Sequence, residues 1–199
     1  MSNEKSKRTR GRPKTLDREY LLNISMDAYW KEGFEKISLN EICKRAHVSK
    51  PGVYREFGND DGLIKEVLVH YEKQVLMQIH QIFKEGKPFC EVLNRYIDIL
   101  TTNSPNLNGC LFLRTRDSNY PLGEKTTKQI ELIQEQFSLS FTRWIDEAKQ
   151  NNEFPLDIST HLAVNYIDAQ VSIAMTKIYH GTKVSLVKDM LTLAFSIFK

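Results

Sequence analysis

Residues 38–57 read SLNEICKRAHVSKPGVYREF, and their spacing describes two short helices meeting at a tight corner. Leu39, Ile42, Cys43 and Ala46 recur at helical intervals and mark the buried side of the first. His47, Val48 and Ser49 break that rhythm. Ser49 is a good N-cap for the second helix, because its hydroxyl can accept from a free first-turn amide. Pro51 is tolerated there, since those amides have no intrahelical partner to lose. Val53 and Phe57 give the second helix one apolar side, while Lys50, Gly52, Tyr54 and Arg55 occupy the other. A helix of about two turns is not stable alone. Its apolar side must be clamped from behind, which leaves its polar side free. That is the design of a helix-turn-helix recognition helix.

With GFEKIS before it (Gly33 to Ser38) and FGNDDGL after it (Phe57 to Leu63), the stretch resembles the DNA-binding domain of the tetracycline-repressor (TetR) family. The motif-bearing part covers residues 16–64; beyond it only the all-helical layout matches. The resemblance implies an all-α fold, with an N-terminal three-helix helix-turn-helix DNA-binding domain over residues 16–59. A C-terminal helical bundle for ligand binding and dimerisation would fill residues 60–199. The implied protein is a cytoplasmic, homodimeric, ligand-responsive transcriptional regulator, usually a repressor.

The 199 residues suffice for a substantial core, and 27% charged with 41% hydrophobic residues is ordinary for a globular chain. No apolar run approaches the ~18 residues of a membrane span, and the N-terminus is charged rather than signal-like, so the expectation is cytoplasmic. The net charge of +3 is unevenly spread: residues 1–58 hold 13 Lys and Arg against 8 Asp and Glu, the remainder 15 against 17. That split suggests a nucleic-acid-facing end on a neutral or acidic body. Cys43, Cys90 and Cys110 have no metal-ligand or CxxC spacing and read as buried small apolar residues, with a thiol sensor as the alternative. No Gly-rich phosphate loop, GxSxG or HExxH is present, so no catalytic residue, metal or cofactor is expected.

Residues 1–15 are basic and aperiodic, and are expected to form a disordered arm. Within it RGRPK resembles the core of an AT-hook: Arg10, Arg12 and Lys14 can enter a narrow A·T-rich minor groove or hold phosphates as a solvated tail. Asp17 to Glu32 reads as the first helix, ended by Gly33. Lys36 and Ser38 precede the second, where Ser38 can cap it or donate to a phosphate. Lys50, Tyr54 and the Ser49 region match family positions that hold phosphates. Pro51 and Gly52 lack bulk, so the helix start can approach base edges. Arg55 can read guanine bidentately or contact phosphate. Glu56 should face away from the phosphates or accept from a cytosine amino group. Two positions depart from the family pattern: His47 stands where glycine is usual, and Asp60 where lysine is frequent.

One long helix is expected from Asp60 to Lys84, with a stripe running Leu63, Ile64, Val67, Leu68, Tyr71, Val75, Ile79 and Phe83. Asn59, Asp60 and Asp61 would cap its start, and His70 and His80 read as surface or rim histidines. Phe89 to Thr102 is amphipathic, and the apolar Cys110–Leu113 run reads as a short buried helix. Helices over Leu122 to Asn151, Asp157 to His180 and Ser185 to Phe198 follow. The last two carry more apolar surface than one small bundle absorbs. Ala163, Ala169, Ala174 and Ala194 would permit close approach, and the resemblance implies a homodimer through this pair. Tyr96, Leu100, Phe112, Phe137, Phe141, Trp144, Tyr166 and Gln170 are candidate ligand contacts, with Asn103, Gln134 and Asn165 as further polar hooks; ordinary core packing is the alternative for each. The expected partners are a palindromic double-stranded DNA operator and a small-molecule effector. The competing functions are a nonspecific architectural DNA binder and a helical protein-interaction module without DNA binding.

Overall fold

Asp17 opens the first helix by accepting the Tyr20 amide at 3.0 Å, and α1 (Arg18–Glu32) buries Leu21, Leu22, Ala28, Tyr29 and Trp30. The structure, a computed structural model, describes residues 16–102 and 108–199. Arg10, Arg12, Lys14 and Asn103 lie outside the described residues. Next come α2 (Leu39–Arg45), capped by Ser38, and α3 (Lys50–Phe57), capped by Ser49. Between them His47 takes φ 54°, a left-handed conformation that costs a non-glycine residue some strain. The corner closes through the Val48 amide, which donates to the Cys43 carbonyl at 3.0 Å.

α4 (Asp60–Tyr71) crosses α1 and lies along α8 (Glu124–Gln150). The expectation of one regular helix to Lys84 needs correction. A π-helical turn over Glu72–Leu76 separates α4 from α5 (Met77–Ile82). A π turn adds a residue to the helical repeat, so the buried stripe jumps from Tyr71 to Leu76 and leaves Val75 half-buried. The stripe then resumes at Ile79, Ile82 and Phe83.

α6 (Phe89–Thr102) and α7 (Leu111–Arg116) complete the inner layer. α9 (Thr160–Tyr179) packs on α8, and α10 (Val184–Ala194) packs against α6 and α9. A 3₁₀ turn at Phe195–Phe198 buries both terminal phenylalanines. Phe83 meets the rings of Tyr96, Phe141 and Trp144, and Phe89 stacks on Trp144 at 4.4 Å. Every described regular element is helical, and none is long and apolar enough to cross a membrane.

Several side chains depart from expectation. Cys43 and Cys110 are buried but Cys90 is exposed, because it follows Phe89 on the outer side of α6. Ala163 and Ala174 are enclosed within the protomer, so of the alanines on α9 only Ala169 lies on the exposed side. His70 is buried rather than superficial, with Nε2 2.8 Å from Asn23 Oδ1. It joins α4 to α1, since the register that buries Val67 and Tyr71 also turns His70 inward. His80 is half-buried, 3.1 Å from Ser140 Oγ, with its ring against Phe137.

Burial pushes the His70 imidazole below its ordinary value; Glu19 opposes this, and Lys73 and Arg18 reinforce it. The unfolded chain takes up this proton near the ordinary value of ~6.5, before the folded one does, so His70 lowers stability as pH falls through that range. The urea midpoint should therefore fall less in His70→Gln than in the wild type between about pH 7.5 and about pH 5.5. Equal falls would remove His70 as the cause.

Candidate nucleic-acid interface and ligand cavity

α3 is fixed from both ends and from behind. Ser49 Oγ accepts the Gly52 amide at 3.2 Å, and Val53 and Phe57 are buried. Lys50, Pro51, Tyr54, Arg55 and Glu56 are exposed and Gly52 is half-buried. Lys50 Nζ lies 5.4 Å from the Tyr54 ring centroid, so the two expected phosphate ligands already touch. Glu56 pairs with Arg18 at 3.2 Å, and Arg18 also holds Glu66. Such exposed pairs add little stability, but with Lys65 also pairing Glu66 at 2.6 Å the two cations offset both carboxylates, the single acidic charge on α3 included, and leave Lys50 and Arg55 to set the sign of the face. Lys36 and Ser38 are exposed at the α2 start. Ser38 Oγ accepts the Glu41 amide at 3.3 Å, in its capping role. Arg45 braces α2 by gripping Glu32 of α1 and Glu41 at 2.9 Å.

Below this unit, α5 to α9 and the π turn enclose a cavity of about 550 Å³. Tyr96, Leu100, Phe112, Phe137 and Phe141 line it, as do Gln134 and Asn165. Trp144, Tyr166 and Gln170 do not line it. Trp144 sits one turn past Phe141 and turns between Phe83 and Phe89. Tyr166 donates its hydroxyl to the Ala194 carbonyl at 3.2 Å, and Gln170 shares its helical side. The α9 residues that do line the cavity are Thr160, His161, Val164, Asn165, Asp168, Val171 and Met175. The i, i+4, i+8, i+11, i+15 spacing from Thr160 was the available signal for Asp168 and Met175. Cys110 also lines the wall and accepts from the Tyr71 hydroxyl at 3.4 Å. Burial pushes its thiol up, and pushes Cys43 up as well, the reverse of an activated thiolate.

Two polar ties join the α3 unit to the cavity walls. The first is Asp61. Asn59 caps α4, accepting the Gly62 amide at 2.8 Å. Asp61 instead reaches the start of α8, accepting from the Lys125 amide at 3.0 Å, the Thr126 amide at 3.0 Å and the Thr126 hydroxyl at 2.6 Å. A Cβ on Gly123 would fall 2.3 Å from this carboxylate. Burial tends to raise the Asp61 pKa, but the Thr126 and Lys125 hydrogen bonds outweigh it and hold the carboxyl below its ordinary value. The second tie is at α7. Trp30 Nε1 donates to the Gly109 carbonyl at 2.9 Å, and Arg114 donates to the Trp30 carbonyl. Arg114 also lies 3.6 Å over the Tyr179 ring at the end of α9. Gly109 has φ +71°, and a Cβ there would meet the Met175 carbonyl at 2.6 Å.

A short, rear-braced helix with a cationic exposed face, carried on an all-helical body with an internal cavity, defines a helix-turn-helix fold. Residues 21–67 match the sequence model of bacterial regulatory proteins of the tetR family. The chain is 31% identical over 111 residues to the HTH-type transcriptional repressor ComR of Escherichia coli (strain K12), spanning 54% of this chain and 53% of ComR. It is 24% identical over 110 residues to BdcR of the same organism, a repressor of the same type, spanning 55% of this chain and 56% of BdcR. The chain spans about half the length of the curated relatives it matches. The whole fold superposes with TM-score 0.82 on the regulatory protein TetR from Rhodobacter sphaeroides, at 15% identity over 92% of this chain and 100% of that one. The TM-score is 0.80 against a cysteine mutant of the TetR family transcriptional regulator CifR complexed with 26-bp operator DNA, at 18% identity over 92% and 97%. Residues 21–67 thus carry the tetR-family DNA-binding sequence pattern, and the described residues share the fold of these TetR-family structures.

The Asp61 tie generates a direct prediction. Asp61→Ala should lower the free energy of urea unfolding by about 1–3 kcal/mol, because two α8 amides lose their acceptor and the buried Thr126 hydroxyl keeps only the Asp61 backbone carbonyl, at 3.1 Å. Asp61→Asn, which keeps one acceptor oxygen, should lose less. An unchanged midpoint in Asp61→Ala would remove the tie from the stability of the fold.

Proposed function

We propose that this protein is a cytoplasmic, sequence-specific DNA-binding transcriptional regulator, a homodimeric repressor released from a palindromic operator by a small-molecule effector. The observation that carries the reading is α3: eight residues anchored by Val53 and Phe57, with Lys50, Tyr54 and Arg55 facing solvent and Glu56 neutralised by Arg18. Lys50 and Tyr54 supply phosphate contacts that set register, and Arg55 supplies the base contact. Lys36, Ser38 and the capping turn at Ser49 flank them, and the arm at Arg10, Arg12 and Lys14 adds minor-groove or phosphate contacts.

So short a helix reads only a few base pairs, and two copies placed one DNA turn (~34–36 Å) apart provide the rest. The outer surface of α9 and α10 supports a symmetric pairing. Leu162, Tyr166, Ala169 and Ile173 form one stripe, and Leu186, Met190, Leu193 and Ile197 repeat its spacing on the neighbouring helix and the turn that closes it. Leu162, Leu186 and Leu193 are 59%, 53% and 75% exposed, an unfavourable arrangement for a lone protomer.

Effector and operator are coupled through shared walls. A ligand between Phe112, Phe137 and Phe141 acts on α7 and α8. α8 is tied to α4 at Asp61, and α7 to α1 through Arg114 and Trp30. A ligand that favours a different spacing of the two α3 helices by ~1–3 kcal/mol weakens operator affinity roughly 5–150-fold.

Selection of genomic fragments on the purified protein supplies the operator. On that site, Arg55→Ala should cost about 1–3 kcal/mol and relax preference at one base pair, while Lys50→Ala and Tyr54→Ala weaken all sequences alike. Fluorescence anisotropy at physiological salt measures this. Affinity unchanged in the triple variant, or equal affinity for every duplex, would reject the reading. Leu193→Glu should convert the dimer to monomer in sedimentation and abolish binding to the full palindrome; a dimer that persists would reject the α9–α10 interface.

A further inference from the structure

The charge pattern around the cavity narrows the chemistry of what enters it. Among the described residues no lining side chain is Lys or Arg, Asp168 is the one carboxylate, and His161 is the one imidazole. Residues 103–107, which precede the cavity wall in sequence, contain no ionisable side chain. Asp168 is 44% exposed and contacts Arg116 Nη1 through both oxygens, at 2.8 and 3.0 Å. That guanidinium is shared. Arg116 Nε also pairs with Asp117 at 2.7 Å, and Ser172 donates to the same Asp117 carboxylate at 2.6 Å. One cation between two carboxylates leaves a net negative charge. A third carboxylate, Asp146, accepts from the hydroxyl of the lining residue Thr160 at 2.6 Å.

Behind this rim the cavity turns aromatic. Phe112 and Phe137 are nearly parallel, with ring centroids 6.5 Å apart, and Phe141 follows Phe137 at 6.1 Å. Aromatic faces attract a cation and offer nothing to an anion. An anionic ligand would lose its hydration and meet Asp168, with compensation only from the His161 imidazole and from Arg116, which lies 5.8 Å over the Phe112 ring but is already engaged by two carboxylates.

We infer that the cavity takes an aromatic amine, its flat apolar body against Phe112, Phe137 and Phe141 and its protonated nitrogen at the Asp168 carboxylate, and that it rejects carboxylates and phosphates of the same size. This deepens the effector half of the proposed function and rests on the cavity being the effector site. It does not depend on DNA binding. Gln134, Ser138 and Asn165, neutral and exposed at the rim, orient the ligand without changing the sign of the field.

The test uses the full chain without DNA and three probes of one skeleton: naphthylmethylamine, naphthylmethanol and naphthoate. By calorimetry the amine should bind at least about tenfold more tightly than naphthoate, with the alcohol between them. Asp168→Asn should bring amine and carboxylate to within about threefold while leaving the alcohol unchanged, which also reports that the cavity is folded. Gln134→Lys, an exposed substitution that adds a cation to the rim, should raise naphthoate affinity. Equal or tighter naphthoate binding, an amine preference that survives Asp168→Asn, or failure of all three probes to bind would overturn the inference. Operator binding measured on the same preparation separates the outcomes: a protein that holds its operator but prefers naphthoate rejects only the ligand class.

Discussion

The carboxylate of Asp61, in the first turn of α4, accepts the amides of Lys125 and Thr126 at the start of α8. A helix start leaves amides unsatisfied, and Gly123, at the N-cap of α8, has no side chain to meet them. α8 is therefore terminated by a residue of another helix, 62 positions back in the chain. α4 is the brace behind α3, and α8 is a wall of the cavity. Neither can shift along the other without stripping acceptors from buried donors. The spacing between the outward face of α3 and the cavity wall is held at this one polar joint, with Trp30 and Arg114 holding the opposite corner.

The fold was legible where local chemistry decides it. Ser38, Ser49 and Asn59 each cap the helix that follows, and His47 occupies the left-handed corner that its position implied. Capping and period are properties of a few adjacent residues, so a sequence can state them. Asp61 was readable as a helix-start carboxylate but not as the cap of α8, because its partners are distant in the chain. The π turn was hidden for a related reason: Val75 and Leu76 are both apolar, and either continues a stripe from Tyr71. Only the folded chain, which buries Leu76 at the cavity wall, selects it.

The cavity was half legible. Alternating aromatic and polar residues pointed to α6, α7, α8 and α9, and seven of the named side chains, Gln134 and Asn165 among them, line it. Trp144, Tyr166 and Gln170 were assigned by residue type, yet a helix turns about 100° per residue and type does not say which way each points. Asp168 escaped notice because a single carboxylate on an amphipathic helix reads as a solvated charge until Arg116 is found beside it. The charge asymmetry of the sequence reappears in space: the exposed side of α3 is cationic, and the cavity mouth is anionic.

The π turn at Glu72–Leu76 has a consequence for the history and the engineering of this helix. A wide turn holds one residue more than a regular helix needs, and here the surplus lies between Tyr71 and Leu76. Removing one exposed residue there, Lys73 or Gln74, restores the ordinary repeat and leaves Leu76, Ile79 and Phe83 facing inward as before. Deletion inside a helix usually rotates everything downstream into the wrong environment; at this point it does not. The segment can shorten by one residue without repacking the core, an unusual freedom for the rod that links the helix-turn-helix unit to the cavity-bearing one.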